Sequence, residues 1–141
     1  MLSYLLRRID VRSGLREFLE SLEKTERLLD VGCAGGSPRR IKEILPSTDY
    51  HGVDILDECA FAEDLQLMKK YNQAMPENFA DGIRQIEANE FDVIVSSHNL
   101  EHCLKPLDVL SAMNSKLATG DSMYISTPRL ESVNFPLRTG H

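Results

Sequence analysis

The sequence lacks paired cysteines and long apolar runs, and these absences exclude several classes of protein. Its three cysteines, Cys33, Cys59 and Cys103, are odd in number and form no CxxC pair. That pattern favours reduced thiols in a cytoplasmic protein over a disulfide framework or a three-cysteine metal site. No apolar run approaches the roughly 20 residues that a membrane-spanning helix needs, so no membrane span is expected. In the opening segment "MLSYLLRRID" the arginines follow the apolar stretch, which argues against a secretory signal and predicts a helix.

Positive charge is also scarce, which bears on possible partners. The 141 residues contain 22 Asp and Glu against 16 Lys and Arg, a formal net charge of -6, with no Lys/Arg run. Proteins that bind nucleic acid gain much of their affinity by neutralising phosphates, so no nucleic-acid partner is expected. At 42% hydrophobic residues, the chain has the composition of one globular domain with one core.

What the chain does contain is an alternation of strand-like and helix-like segments. The strand-like segments are "RLLDV", "DYHGVDI", a faint one around Phe79, "FDVIVSS" and "SMYISTP". The helix-like segments are "LREFLESLEKTE", a segment that begins at Ser37 and ends before Pro46, "LDECAFAEDLQLMKKY", and "PLDVLSAMNSKLATG" ended by Gly120. Alternating strands and helices predict an α/β three-layer sandwich with a mainly parallel sheet, because each helix carries the chain back across the sheet.

A glycine turn, "DVGCAGGS", follows the first strand, where ligands bind in sheets of this kind. The dinucleotide pattern G-x-G-x-x-G fails at its second and third glycines, which are Ala34 and Ser37. The looser pattern acidic-x-Gly-x-Gly-x-Gly fits better, with Asp30, Gly32, Ala34 and Gly36. The turn therefore predicts a ligand site. Because the dinucleotide pattern fails at two positions, an NAD-dependent oxidoreductase ranks third, below two functions given at the end of this subsection. Ala34 fits such a turn only where its φ is negative.

The ordered segments "LLDVGCAGG", "YHGVDI" and "FDVIVSSHNLEHCLKPLDVLSAMNSKLATGDSMYISTP" resemble the motifs of class I S-adenosylmethionine-dependent methyltransferases. The similarity covers residues 26–128 and is to the small-molecule branch that includes ubiquinone-biosynthesis enzymes. It departs from the family at Ala34 and at Asp121, where glycines are usual. It implies a Rossmann-like fold with strand order 3-2-1-4-5, a helical region 1–26, a cofactor-binding core 27–128 and a tail 129–141.

The resemblance also implies a family sheet that continues with an antiparallel strand pair. Only thirteen residues follow Pro128, so we expect this pair to be missing and the single domain 1–141 to be C-terminally truncated. The strand at 122–127 would then be an open edge with unpaired backbone groups. Such an edge invites covering by the tail or by a second chain, and the second case would give a homodimer through the sheet edge.

The resemblance implies S-adenosylmethionine as the cofactor and assigns residues to it. Asp30 would accept from its ammonium group, the turn would approach its methionine and ribose parts, and Asp54 would accept from its ribose hydroxyls. A second acidic residue, Asp81, would bind the adenine amino group. The cofactor-binding residues expected are Asp30, Gly32, Cys33, Ala34, Gly35, Gly36, Asp54, Ile55, Asp81, Gly82, Ile83, Ser97 and His98.

The segment "SSHNLEHCLKP" places His98, Glu101 and His102 at i, i+3 and i+4, which would bring them to one face of a helical turn. Some relatives carry Glu-x-x-Glu-His here and bind a divalent ion with it. Three interpretations stay open: a metal site at His98, Glu101 and His102, a general base at His102 or His98, or a structural role.

The function expected is methyl transfer from S-adenosylmethionine to a small-molecule acceptor by in-line displacement, a reaction that depends mainly on alignment of donor and nucleophile. The alternative, from a functional class other than enzymes, is a non-catalytic S-adenosylmethionine-binding domain or a fragment that needs a partner.

Overall fold

The computed structural model describes residues 14–87 and 90–128. Within them lie four α-helices, three short 3₁₀ helices and five strands. The helices are α1 (Leu15–Glu20), α2 (Ser37–Ile44), α3 (Phe79–Arg84) and α4 (Pro106–Lys116). The strands are β1 (Arg27–Val31), β2 (Asp49–Asp54), β3 (Lys70–Gln73), β4 (Phe91–Ser97) and β5 (Leu117–Ser126), and the 3₁₀ helices are Glu58–Phe61, Leu65–Leu67 and Leu100–His102.

The five strands form one sheet in the order β3-β2-β1-β4-β5, and every pairing is parallel. This confirms the predicted Rossmann-like sheet and its strand order. In β1, Asp30 lies in register with Gly52 of β2 and Val95 of β4. The carboxyl ends of these three strands therefore meet at one edge of the sheet, next to the glycine turn.

Helices cover both faces of the sheet, because successive strand residues point to opposite sides. On one face, Leu29 and Ile94 pack in a core cluster with Ile83 of α3 and Met113 of α4. On the other face, a second cluster contains Leu28 and Val93 of the sheet with Leu19 of α1 and Ile41 of α2. The predicted three-layer sandwich is thus confirmed.

Two predicted elements are wrong, and both lie between β2 and β4. The segment "LDECAFAEDLQLMKKY" contains two 3₁₀ helices and the first two residues of β3 instead of one α-helix. At its start Asp57 accepts a hydrogen bond from the backbone N–H of Cys59, which begins the first 3₁₀ helix. The expected strand around Phe79 is instead the beginning of α3.

The last helix and strand also meet at a different residue than predicted. Helix α4 ends at Lys116, and β5 begins at Leu117 instead of at residue 122. The register slips between the pairs Phe91–Leu117 and Val93–Ser122, so the segment around Gly120 bulges out of the ladder. Gly120, predicted to end the helix, therefore lies inside β5 with φ 85°.

The predictions for the chain termini concern residues that lie largely outside the described part. Residues 1–13 and the tail 129–141 belong to the undescribed part, so the helical interpretation of "MLSYLLRRID" stays a prediction. In residues 14–87 and 90–128, β5 is an edge strand that pairs with β4 alone. No helix of this described part is long and apolar enough to cross a membrane.

Candidate functional site

A cleft of about 630 Å³ opens at the carboxyl ends of β1, β2 and β4, where the sheet order changes direction. Its volume falls within the range of about 300–1,000 Å³ that small-molecule sites occupy. Fifteen residues line it: Leu15, Gly32, Ala34, Gly35, Ser37, Arg40, Asp54, Ile55, Pro76, Phe79, Ser97, His98, Asn99, His102 and Cys103. The glycine turn and the ends of β2 and β4 therefore share one ligand-sized space.

The glycine turn has the backbone conformation that its residue types permit. Gly32, Gly35 and Gly36 have φ values of 83°, 71° and 78°, in the left-handed region that favours glycine. Among the described non-glycine residues only His98 has a positive φ, so Ala34 meets the condition set by the sequence. A Cβ on Gly32 would lie 2.5 Å from the side-chain Cγ of Asn99. Gly32 is therefore fixed both by its φ and by this close approach.

Asp30 lies beneath the turn and does not line the cleft. It is 1% exposed, and its Oδ2 accepts hydrogen bonds from Ser37 Oγ and Tyr50 Oη, both at 2.5 Å. Burial raises the pKa of this carboxyl from 3.8 to about 6, although the bonds from Ser37 and Tyr50 oppose the shift. In this structure Asp30 joins the start of α2 to β2, which differs from the expected contact with a ligand ammonium group.

Like Asp30, Cys33 does not line the cleft, because its side chain lies in the core. It is fully buried, and burial, followed by the charges of Asp30 and Asp54, raises the pKa of its thiol well above the usual range. All three cysteines of the chain are unpaired. Cys33 can thus contribute only backbone atoms to the cleft.

Asp54, the last residue of β2, is placed as the sequence predicts, at the wall of the cleft. Its Oδ2 accepts from the backbone N–H of Ala34 at 3.1 Å, and its Oδ1 accepts from that of Ile55 at 2.7 Å. These bonds tie the end of β2 to the glycine turn and fix the carboxylate beside the cleft. The next residue, Ile55, is 42% exposed and lines the same wall.

On the opposite wall, Ser97, His98 and His102 lie at the end of β4 and in the short 3₁₀ helix after it. His98 has φ 53°, a conformation that costs free energy for a non-glycine residue, and its N–H donates to the carbonyl of Ser126 at 2.8 Å. This bond anchors the end of β4 to β5 and turns the chain into the cleft.

His98, Glu101 and His102 do not form the metal-binding group that their spacing predicts. Glu101 Oε1 lies 3.6 Å from His98 Nδ1 and 4.0 Å from His102 Nε2. The segment is a 3₁₀ helix, Leu100–His102, preceded by the left-handed His98, so the spacing of an α-helical turn does not apply. Within residues 14–87 and 90–128, no group of His, Cys, Asp and Glu side chains could hold a metal ion.

The structure does not bring Asp81, Gly82 and Ile83 to the cleft. They lie in α3, where Asp81 accepts from Arg84 at 3.0 Å and the other two are buried. Because the third strand is Lys70–Gln73, the segment that follows it and reaches the cleft is 74–79. Pro76 and Phe79 line the cleft in place of the predicted residues.

Sequence reasoning also missed cleft residues outside the loop after β3. A usable signal was available for two of them, since Ser37 and Arg40 are three residues apart in α2 and therefore share a helix face. No comparable pattern marks the others. The cleft residues not predicted are Leu15, Ser37, Arg40, Pro76, Phe79, Asn99 and Cys103.

Comparison with known proteins identifies a family for the chain. A family model described as a methyltransferase domain matches residues 2–139. An uncharacterized protein of Methanocaldococcus jannaschii is 27% identical over 106 residues, which are 74% of this chain and 29% of that protein.

Two solved methyltransferases have the same fold. The plantazolicin methyltransferase BpumL, in complex with a pentazolic desmethylPZN analog and SAH, superposes with a TM-score of 0.66 at 22% identity, over 99% of this chain and 58% of its own. MycE is a methyltransferase of the mycinamycin biosynthetic pathway, in complex with Mg and SAH. It superposes with a TM-score of 0.59 at 23% identity, over 94% of this chain and 36% of its own. The chain thus spans less than two thirds of each compared protein.

The family model covers nearly the whole chain, and the sheet has the strand order that the sequence resemblance implies. The chain belongs to the methyltransferase-domain family, and its motifs and fold are those of the class I members.

Proposed function

We propose that the cleft binds S-adenosylmethionine and that the chain transfers its methyl group to a small-molecule acceptor. The observation that carries the proposal is the link between Asp54 and the glycine turn: the carboxylate accepts from Ala34 N–H while lying at the cleft wall. In the compared structures BpumL and MycE, the complexes contain SAH. The demethylated cofactor in those proteins supports the same ligand class here.

The residues of the cleft fit the chemistry of this cofactor. Asp54 Oδ2 accepts one backbone N–H, and a carboxylate oxygen has a second lone pair with which to accept from a ribose hydroxyl. Gly32 and Gly35 have no side chains, so the backbone can approach a bound ligand closely. Pro76, Phe79 and Ile55 supply apolar surface for a flat ring, in place of the predicted Asp81.

The chain's own contribution to the reaction is alignment and exclusion of water. When bound, the cofactor supplies an electrophilic methyl group. The end of β4 provides the opposite wall, where Ser97 and Asn99 can orient an acceptor. His98 and His102 line this wall with side chains 62% and 78% exposed, so either imidazole can take a proton from an acceptor hydroxyl.

A second candidate function is cofactor binding without turnover by this chain alone. The chain spans only 29% to 58% of the compared proteins named above, so parts of those proteins have no counterpart in it. A partner chain, or a second copy paired along β5, could complete such a site. A cytoplasmic location and the dimer both remain predictions from the sequence.

Calorimetry tests the proposal. S-Adenosylhomocysteine should bind and NAD should not, because the turn lacks the second and third glycines of the dinucleotide pattern. Asp54→Asn should weaken S-adenosylhomocysteine binding by about 1.5 to 3 kcal/mol, the contribution of hydrogen bonds to a charged group. Asp49→Asn, which removes an exposed carboxylate at the other end of β2, is the matched control and should bind normally.

Tighter binding of NAD than of S-adenosylhomocysteine would refute the cofactor assignment. Equal affinity of the wild type and Asp54→Asn would refute the role of Asp54. Methyl transfer from radiolabelled S-adenosylmethionine to a panel of small acceptors then separates the two candidate functions, since binding without transfer supports the second.

A further inference from the structure

Arg40 is a cleft residue to which the reasoning above gives no role. It lies one helical turn after Ser37 in α2, and both residues line the cleft. Its Nη2 donates to the carbonyl of Gly35 at 3.3 Å, so the guanidinium group lies against the glycine turn. In the described part of the chain, Arg40 has no carboxylate partner within 4.0 Å, whereas its neighbour Arg39 contacts Glu63 and Asp64 at 2.5 and 2.7 Å.

The charges around the turn explain why a cation is needed there. Asp54 lies in the cleft wall and Asp30 lies directly beneath the turn, so a third carboxylate would be repelled by these two. Among the described residues that line the cleft, Arg40 alone carries a permanent positive charge. Burial raises the pKa of the Asp30 carboxyl, and the positive charge of Arg40 is a minor effect that opposes this shift.

We infer that Arg40 binds the α-carboxylate of the methionine part of the cofactor. This inference rests on the proposed function. A cationic partner stabilises the ligand's carboxylate, and a guanidinium group can hold it with two parallel hydrogen bonds. Asp54, on the β2 side of the turn, then holds the ribose. The cofactor would lie across the turn between these two residues, with its sulfur centre facing the β4 wall.

The test compares two ligands that differ in the amino-acid group. S-Adenosylhomocysteine carries the carboxylate, whereas 5′-methylthioadenosine has the same adenosine and a thioether but neither carboxylate nor ammonium. Arg40→Gln should weaken S-adenosylhomocysteine roughly tenfold or more, in line with hydrogen bonds to charged groups. It should leave the affinity for 5′-methylthioadenosine within about twofold, and Arg40→Lys should recover part of the loss.

Arg39→Gln is the matched control, because it removes the same charge from the same helix outside the cleft. Calorimetry gives the affinity for S-adenosylhomocysteine, ligand-observed NMR reaches weak binding of 5′-methylthioadenosine, and circular dichroism confirms that each variant is folded. A loss confined to S-adenosylhomocysteine and to the Arg40 variants supports the inference.

Other outcomes overturn it in distinguishable ways. If the wild type binds S-adenosylhomocysteine and Arg40→Gln binds it equally well, or if both ligands weaken to the same extent, Arg40 does not hold the carboxylate and the proposed function stands. If the wild type binds neither ligand, the proposed function and this inference fail together.

Discussion

Replacement of Asp30 by Asn should change how the stability of the protein depends on pH. Asp30 is 1% exposed, and its carboxyl pKa is raised from 3.8 to about 6, chiefly by burial. In the Asn variant, the side-chain oxygen can still accept from Ser37 Oγ and Tyr50 Oη, so the two hydrogen bonds can persist. The substitution therefore removes the titrating charge while keeping the contacts.

The direction of the effect follows from the raised pKa. The folded state holds the Asp30 proton more tightly than the unfolded state, so its contribution to stability is complete below pH 3.8 and is lost as the pH rises through 6. A shift of roughly two pKa units corresponds to about 3 kcal/mol. The free energy of unfolding of the wild type, minus that of Asp30→Asn, should thus fall by about 3 kcal/mol between pH 3.5 and pH 7.

Urea denaturation of both proteins across this pH range measures the difference directly, because the other titrating groups contribute equally to both and cancel. Asp49→Asn provides the control, since Asp49 is exposed at the opposite end of the neighbouring strand. A difference between the wild type and Asp30→Asn that stays constant with pH, or that grows in favour of the wild type as the pH rises, would refute the reasoning.

Two glycine substitutions test the packing around the cleft by the same urea method. Gly32→Ala should destabilise the protein by about 2 to 5 kcal/mol, because Gly32 has a φ of 83° and a new Cβ would clash with Asn99. Adding Asn99→Ala should not restore stability, because the Cβ of residue 99, 2.6 Å from the new Cβ, remains. Wild-type stability of Gly32→Ala would contradict this. Gly82→Ala should destabilise by about 1 to 3 kcal/mol, although alanine is the better helix former, because the new Cβ would overlap Ala74. A more stable Gly82→Ala would show that helix propensity outweighs this contact.

The central part of the fold was predictable because its strands are buried on both faces. "RLLDV" and "FDVIVSS" read as apolar runs, since helices cover each side of β1 and β4. β3 is different: Lys70–Gln73 is a four-residue edge strand with no fully buried residue. It has no apolar pattern to detect, so the third strand was misplaced at Phe79, and the expected site at Asp81 was misplaced with it.

Side-chain direction limited the prediction of the site more than backbone topology did. The spacing of His98, Glu101 and His102 suggested convergence only on the assumption of an α-helical turn. A left-handed residue followed by a 3₁₀ helix changes those directions. No feature of the sequence distinguishes these two local conformations, because the segment is short and His98 is held by a hydrogen bond to β5.

The two aspartates beside the glycine turn illustrate the same limit and its functional consequence. Both occupy strand ends, but Asp30 is the penultimate residue of β1 and points into the layer of α2, whereas Asp54 is the last residue of β2 and reaches the cleft. The hydrogen bonds of Asp30 hold α2 and β2 together, and those of Asp54 hold β2 to the turn. Hydrogen bonds of Asp30 beneath the turn and of Asp54 beside it thus hold the turn in place without a bound ligand. A site fixed in this way loses little conformational entropy on binding, which suits a reaction that depends mainly on alignment.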